Sequence, residues 1–193
     1  MHRRIVNTIQ PASAYISLQD CKDHLRLINT DEDGYIAAIL DAAFDVCENY
    51  VGYPIRLTNV QFTSYTWINA DLDFPGRFVS LDSVKYYAEN TNTLTTFASS
   101  NYASKAHETG LVLRWNDETT LPNTYEDRID GVQYNTQMGW IPGTLPGAIR
   151  AAVLLNLTDL YEERKNAVIG TIQTTLSRGS DFLLNPYKLQ RFV

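Results

Sequence analysis

The sequence predicts an α+β fold: a helical bundle of three main helices, a small antiparallel β module inserted between the second and third, and an extended C-terminal segment. Three observations carry that expectation. Apolar residues recur at three- and four-residue steps over residues 17–51 and again over 147–166, the mark of helices with one inward face. Between them, residues 54–140 change to a two-residue alternation rich in β-branched and aromatic side chains, the mark of strands. After 166 a Thr/Ser-rich run leads into a terminal dozen crowded with apolar and aromatic residues. The predicted organisation is thus a helical core from 1–53 and 141–193, including a C-terminal tail, with residues 54–140 as the inserted β-rich module.

The elements follow in order. Ser17, with Asp20 three residues on, has the form of a capping box, and Leu18, Cys21, Leu25 and Ile28 give the short helix behind it an apolar face. Thr30 or Asp31 caps the second helix, which places Asp31, Glu32 and Asp33 at its positive end and stops at Gly52. In the middle, Val60 to Ile68 alternates cleanly. Further strands are expected at Arg77–Leu81, Val84–Glu89, Thr93–Phe97, Tyr102–Ala106, Leu111–Trp115 and Gly131–Met138, with hairpin loops at 90–92 and 108–110. Thr144 and Pro146 open the third long helix, which runs to about Asn166. Its apolar residues wrap most of the way round, so it is covered on more than one side, either within the fold or by a neighbouring subunit.

Size and composition exclude several classes. A chain of 193 residues, 44% apolar and 20% charged, forms one domain or two small ones and buries roughly 70% of its unfolded surface. It needs neither disulfides nor a metal to fold, and no apolar run is long enough to span a membrane. Arg3 and Arg4 are followed by Asn7, Thr8, Gln10 and Pro11 instead of an apolar run, so no secretory signal is expected. Cys21 and Cys47 lie in helical patterns among apolar neighbours and read as reduced core residues.

Charge is unevenly placed. There are 16 Lys and Arg against 22 Asp and Glu, a net charge of -6 that argues against a nucleic-acid binder working through a basic face. Residues 1–29 sum to +2, 30–52 to -6, 53–160 to -4 and 161–193 to +2. The second segment therefore carries acid with no base within it. On the second helix Asp41, Asp45 and Glu48 share the side opposite the apolar face, a like-charge arrangement that costs a few tenths of a kcal/mol per pair. Such a face is either simply solvated or turned towards something it must not bind.

The inventory of chemistry is nearly empty. His2, His24 and His107 are far apart, no pair of them joins the cysteines in a zinc spacing, and no phosphate loop, dinucleotide fingerprint or nucleophile elbow occurs. No catalytic residue, no cofactor and no metal are expected. The last dozen residues invite a different reading, because Phe182, Leu184, Pro186, Tyr187, Lys188, Arg191 and Phe192 form a mildly basic, aromatic segment where termini usually fray. They either fold back or dock on a partner. Tyr65 and Trp67 are interface candidates on the β module.

Several strings, taken in order, resemble one family. Ile16-Ser-Leu with Lys22, His24-Leu-Arg26, Asp31-Glu-Asp33 and Glu48-Asn-Tyr-Val-Gly-Tyr-Pro-Ile55 resemble the N-terminal part of the head-to-tail connector (adaptor) proteins of tailed double-stranded DNA phages. The resemblance resumes at Pro146-Gly-Ala-Ile-Arg-Ala-Ala-Val-Leu-Leu155, at Leu160-Tyr-Glu-Glu-Arg164 and at Leu184-Asn-Pro-Tyr187. It departs from the family in a long β insertion and in a Thr-rich run over 166–180.

The resemblance implies a structural protein of the virion neck, made in the host cytoplasm. It would form a ring, twelve-fold in the virion, between the portal protein and the stopper or tail-completion protein, and genomic DNA would pass through its lumen without specific binding. It would perform no reaction. Asp41, Asp45 and Glu48 would then face the channel, where a wall with few Lys or Arg avoids salt-sensitive phosphate contacts. The tail segment would dock on the portal or a neighbouring subunit. The alternatives are a tail-completion protein of the same virion and a small intracellular ligand-binding domain or enzyme.

Overall fold

The computed structural model describes residues 1–68, 72–89, 92–107, 110–125, 127–166 and 178–189. They fall into two compact units, one of 1–9 with 57–139 and the other of 10–56 with 140–193.

Among the described residues the first unit is built from eight strands. A five-stranded antiparallel sheet has the order β1-β2-β8-β4-β5, from β1 (His2–Thr8), β2 (Thr58–Ser64), β4 (Phe78–Tyr87), β5 (Leu94–Phe97) and β8 (Val132–Met138). A second sheet has the order β3-β7-β6, from β3 (Leu72–Pro75), β6 (Tyr102–His107) and β7 (Gly110–Trp115). In β2 the inner side chains Thr58, Val60, Phe62 and Ser64 are buried while Asn59, Gln61 and Thr63 are half-buried on the opposite face. The pleat turns sequence alternation into a core and an open face. Phe62, Phe74, Phe78 and Tyr134 form one aromatic cluster, and Trp67, Tyr86, Phe97, Tyr102 and Trp115 another, with ring centroids 4.9–6.4 Å apart. Both lie within the range where edge and offset contacts are favourable.

The second unit is helical. Ser17 caps α1 (Leu18–Leu25): its hydroxyl oxygen accepts from the Asp20 amide while Asp20 accepts from the Ser17 amide. Arg26, at φ 58°, ends it in the left-handed region. The helix α2 (Asp33–Val51) stops at Gly52, whose φ of 88° suits a residue without Cβ. The helix α3 (Gly147–Asn166) contributes Ile149, Ala152, Val153, Leu157 and Tyr161 to the core, against Ile36, Leu40, Ala43, Phe44 and Cys47 of α2. The short α4 (Arg178–Leu184) adds Leu184 and is followed by a 3-10 turn at Asn185–Tyr187. Contacts to α1, α2 and α4 cover α3 from within the unit, which accounts for its nearly all-round apolar sequence. Two polar ties fix the α1 to α3 arrangement: buried Lys22 donates to Asp33 at 2.8 Å and Tyr161 donates to Glu32 at 2.5 Å.

The fold class expected from sequence is corrected. Among the described residues the chain has four helices and eight strands in two antiparallel sheets, not a three-helix bundle carrying a small β module. Two segments make the difference. Residues His2–Thr8, which carry no alternation signal because every side chain is exposed, form an edge strand. Residues 178–187, expected to be extended, form α4 and a 3-10 turn. Within the sheet, the two strands expected at 77–81 and 84–89 are one, β4, and bulges between Phe78 and Ser80 and between Leu81 and Ser83 break its alternation.

Candidate functional site

Three surfaces carry the residues singled out by the sequence. On α2, Asp41, Asp45 and Glu48 converge on one cation that lies outside the helix, Arg56. Gly52 ends the helix and lets the chain turn back, which brings the Ile55 and Arg56 amides to Glu48 Oε1 at 3.0 and 2.8 Å. Arg56 donates from Nε and Nη2 to Glu48 at 3.1 and 3.0 Å, from Nη1 to Asp41 at 3.3 Å, and from Nη2 to Asp45. Burial disfavours the guanidinium charge, but Glu48 and Asp45 more than offset that and raise its pKa above the ordinary value. The three carboxylates are not equivalent. Glu48 is 16% exposed and committed to the turn, whereas Asp41 and Asp45 are 58% and 62% exposed. Three acids against one base leave the cluster a formal net charge of -2, presented through two aspartates.

The C-terminal segment folds onto its own unit. Leu184 is buried, the Leu189 amide donates to the Val51 carbonyl at 2.8 Å, and the Tyr187 ring meets Trp140 edge-on at 6.1 Å. Lys188 Nζ sits 4.8 Å from the centre of the Tyr50 ring, a cation–π distance. Pro186 is exposed in the 3-10 turn. Phe182 points outward, 81% exposed. Arg191 and Phe192 lie outside the described residues.

On the sheet unit, Tyr65 is exposed and Trp67 is buried, its indole N–H donating to the Pro122 carbonyl at 2.7 Å. The two line a shallow cavity of about 540 Å³ with Glu89, Leu121, Pro122, Asn123 and Thr124. Cys21 and Cys47 are buried free thiols, and burial pushes them up to about 11 and about 12. Cys47 Sγ accepts from Asn156 at 3.3 Å. Among the described residues no group of three or more His, Cys, Asp or Glu side chains is placed to hold a metal ion. No described helix is long and apolar enough to cross a membrane.

Sequence reasoning missed two features. Arg56 stands eight to fifteen residues beyond its carboxylates, outside any helical spacing; the usable signal was Glu48 four residues before a helix-stopping glycine. The other is β1, exposed along its whole length at the margin of the sheet.

Against known families, the sequence model of the phage gp6-like head-tail connector proteins matches residues 15–133. The chain belongs to that family. The connector is accordingly a structural protein of the virion neck, where head and tail are joined. Its fold is shared with solved structures along the full chain. A chain in the neck of an empty gene transfer agent particle, solved with C6 symmetry, is 17% identical with a TM-score of 0.77, covering 100% of the connector and 98% of that chain. One in the native gene transfer agent virion is 17% identical with a TM-score of 0.76, and one in the native neck solved with C12 symmetry is 16% identical with a TM-score of 0.74; coverage is again 100% and 98% for both. No curated protein sequence matches the connector.

Proposed function

We propose that the connector assembles as a twelve-fold ring between the portal protein and the stopper or tail-completion protein, and that genomic DNA passes through its lumen. The observation that carries this reading is the family match over residues 15–133, joined by the full-length fold likeness to a chain in a neck solved with C12 symmetry. In this reading the ring performs no reaction and takes no cofactor.

Asp41 and Asp45 supply the channel-facing charge, since they remain mostly exposed while paired to Arg56. Glu48 acts behind them by holding Arg56 and the turn. Such a wall repels phosphates, and copies around a ring multiply its field. Phe182 is the docking contact of the C-terminal segment, with Pro186 and Lys188 beside it, while Leu184 and Tyr187 hold that segment to the body. Tyr65 is the aromatic contact of the sheet unit, with buried Trp67 lining the same cavity.

One experiment tests these points together: electron microscopy of the purified connector, alone and mixed with its portal. A ring with Asp41 and Asp45 on the inner wall is the expected result. Monomers in both preparations overturn the ring, and aspartates on the outer wall overturn the channel assignment. Contact mapping in the intact particle separates this position from that of a tail-completion protein.

A further inference from the structure

The five-stranded sheet has two open margins of different character. Every residue of β1 is exposed, and among the described residues the strand pairs only with β2. At the other margin β5 pairs only with β4. The Ala88 amide donates to the Thr93 carbonyl at 3.2 Å. Alternation of bonded and non-bonded pairs then leaves the backbone groups of Leu94 and Thr96 pointing away from β4. Sheet margins of this kind are templates for another strand and are usually blunted by Pro, Lys or short length. Neither strand contains Pro or Lys, although β5 is only four residues long and the β1 register shifts between Ile5 and Asn7.

The face between these margins is polar. Gln61, Ser83, Gln133 and Asn135 bond one another across three strands, with Gln61 Nε2 donating to Gln133 at 3.1 Å and to Asn135 at 3.0 Å, and Asn135 Nδ2 donating to Ser83 at 3.1 Å, while Asn59 Nδ2 donates to Asn7 of β1 at 3.0 Å. They floor an open groove of about 410 Å³. Two large aliphatic side chains stand at its ends. Val6 lies on β1, 53% exposed, and Leu94 on β5, 40% exposed.

We propose, building on the ring reading above, that β1 of one connector pairs with β5 of the next, so that adjacent copies share one continuous sheet. The occupant is a second copy of this chain, for three reasons. The neighbouring strands in the sheet are all antiparallel, so β1 and β5, four steps apart, run in the same direction. Continuation from β5 to the next β1 is therefore a parallel pairing of two different margins. A contact between two different surfaces repeats around a ring, whereas a β1 to β1 contact closes as a dimer. Second, the register that sets Val6 beside Leu94 covers both aliphatic side chains. Third, the same register sets Arg4 beside Asn92 and carries His2 and Arg3 towards Glu89. That end of the sheet carries exposed Glu89, which accepts from Asn123 at 2.9 Å, exposed Asp127, and Arg128, which donates to Asn92 at 3.4 Å and is neutralised by Asp130 at 2.9 Å. The basic end of β1 thus meets an acidic end of the next sheet, and the two steps fit one alignment.

The test is a disulfide trap in the full chain. Residues opposite one another in neighbouring strands lie about 5 Å apart, within disulfide reach. The double variant Val6→Cys with Leu94→Cys, assembled alone or on the portal and then oxidised, is expected to give a covalent ladder extending to the full ring. Each single variant gives none, because Cys21 and Cys47 are buried. Rings that form without crosslinks, or crosslinking that stops at dimers, overturn the shared sheet and leave the ring standing. Absence of rings from the wild-type chain under both conditions removes the ring reading and this contact with it. As a second measurement, Thr96→Pro deletes an outward amide without touching a β4–β5 bond. It is expected to lower the ring population about tenfold or more while the monomer's circular dichroism and melting temperature stay unchanged. An undiminished ring population overturns the contact.

Discussion

Arg56 shows how one side chain decides what three others can do. Its guanidinium is nearly buried, and removing it leaves Glu48 almost enclosed with two backbone amides as its remaining partners. Breaking a buried pair on one side costs more than the pair contributes, so Arg56→Met is expected to destabilise the connector by about 3 kcal/mol in urea unfolding. Asp45→Asn, at a mostly exposed partner, should cost less than about 1 kcal/mol. Equal losses for the two would contradict the division of labour described for the cluster. Asp20 contributes to acid stability in a simpler way. Its hydrogen bond from Ser17, with a further contribution from Arg150, holds the carboxyl below 3.8. A lowered pKa stabilises the folded state above the unfolded value, and that stabilisation is lost as the pH falls through the folded value. Stability should therefore decline below about pH 4, and Asp20→Asn should flatten that decline in melts taken between pH 5 and 2.

At the scale of elements, legibility tracked periodicity. The capping box at Ser17, the two-faced pattern of α2 and its stop at Gly52 stand where the sequence puts them, while the alternating strand expected over Val60–Ile68 runs instead from Thr58 to Ser64. The strand β1 repeats nothing, since both of its faces are exposed and the chain had no reason to alternate. With only seven residues, α4 has two turns in which to show a period, and Asn185-Pro186 after it suggests extension. The carboxylate cluster was legible by half: the acids share a helix face, but their base is brought in by a turn, and a turn's reach has no period. Gly131 is a position where element geometry is strict. A methyl group there would collide with the Tyr65 carbonyl oxygen, so the start of β8 and the end of β2 depend on a missing side chain. Gly131→Ala is expected to cost about 2 kcal/mol through backbone displacement and to alter the near-ultraviolet circular dichroism of the Trp67 cluster. Gly34→Ala, which meets open space, is the matching control.

For the whole molecule, truncating the C-terminal segment would confuse its place in the core with its proposed docking role. Deleting residues 181–193 removes Leu184 from the core together with the exposed Phe182, so lost portal binding would say little. Phe182→Ser isolates the exposed ring. It should weaken portal binding about tenfold or more, as truncation of an aromatic anchor does, with the melting temperature unchanged; undiminished binding would remove Phe182 from the contact. The two units also interleave along the chain, one taking residues 1–9 and 57–139, the other 10–56 and 140–193. During synthesis, β1 emerges first and must wait for β2, some fifty residues later, with all of α1 and α2 in between. The apolar face of α2 waits longer still, until α3 has left the ribosome. Long-range closures of this kind slow folding and leave sticky surfaces open meanwhile. A nascent connector therefore spends much of its synthesis with an unpaired strand and an uncovered helix, an interval in which aggregation competes with folding.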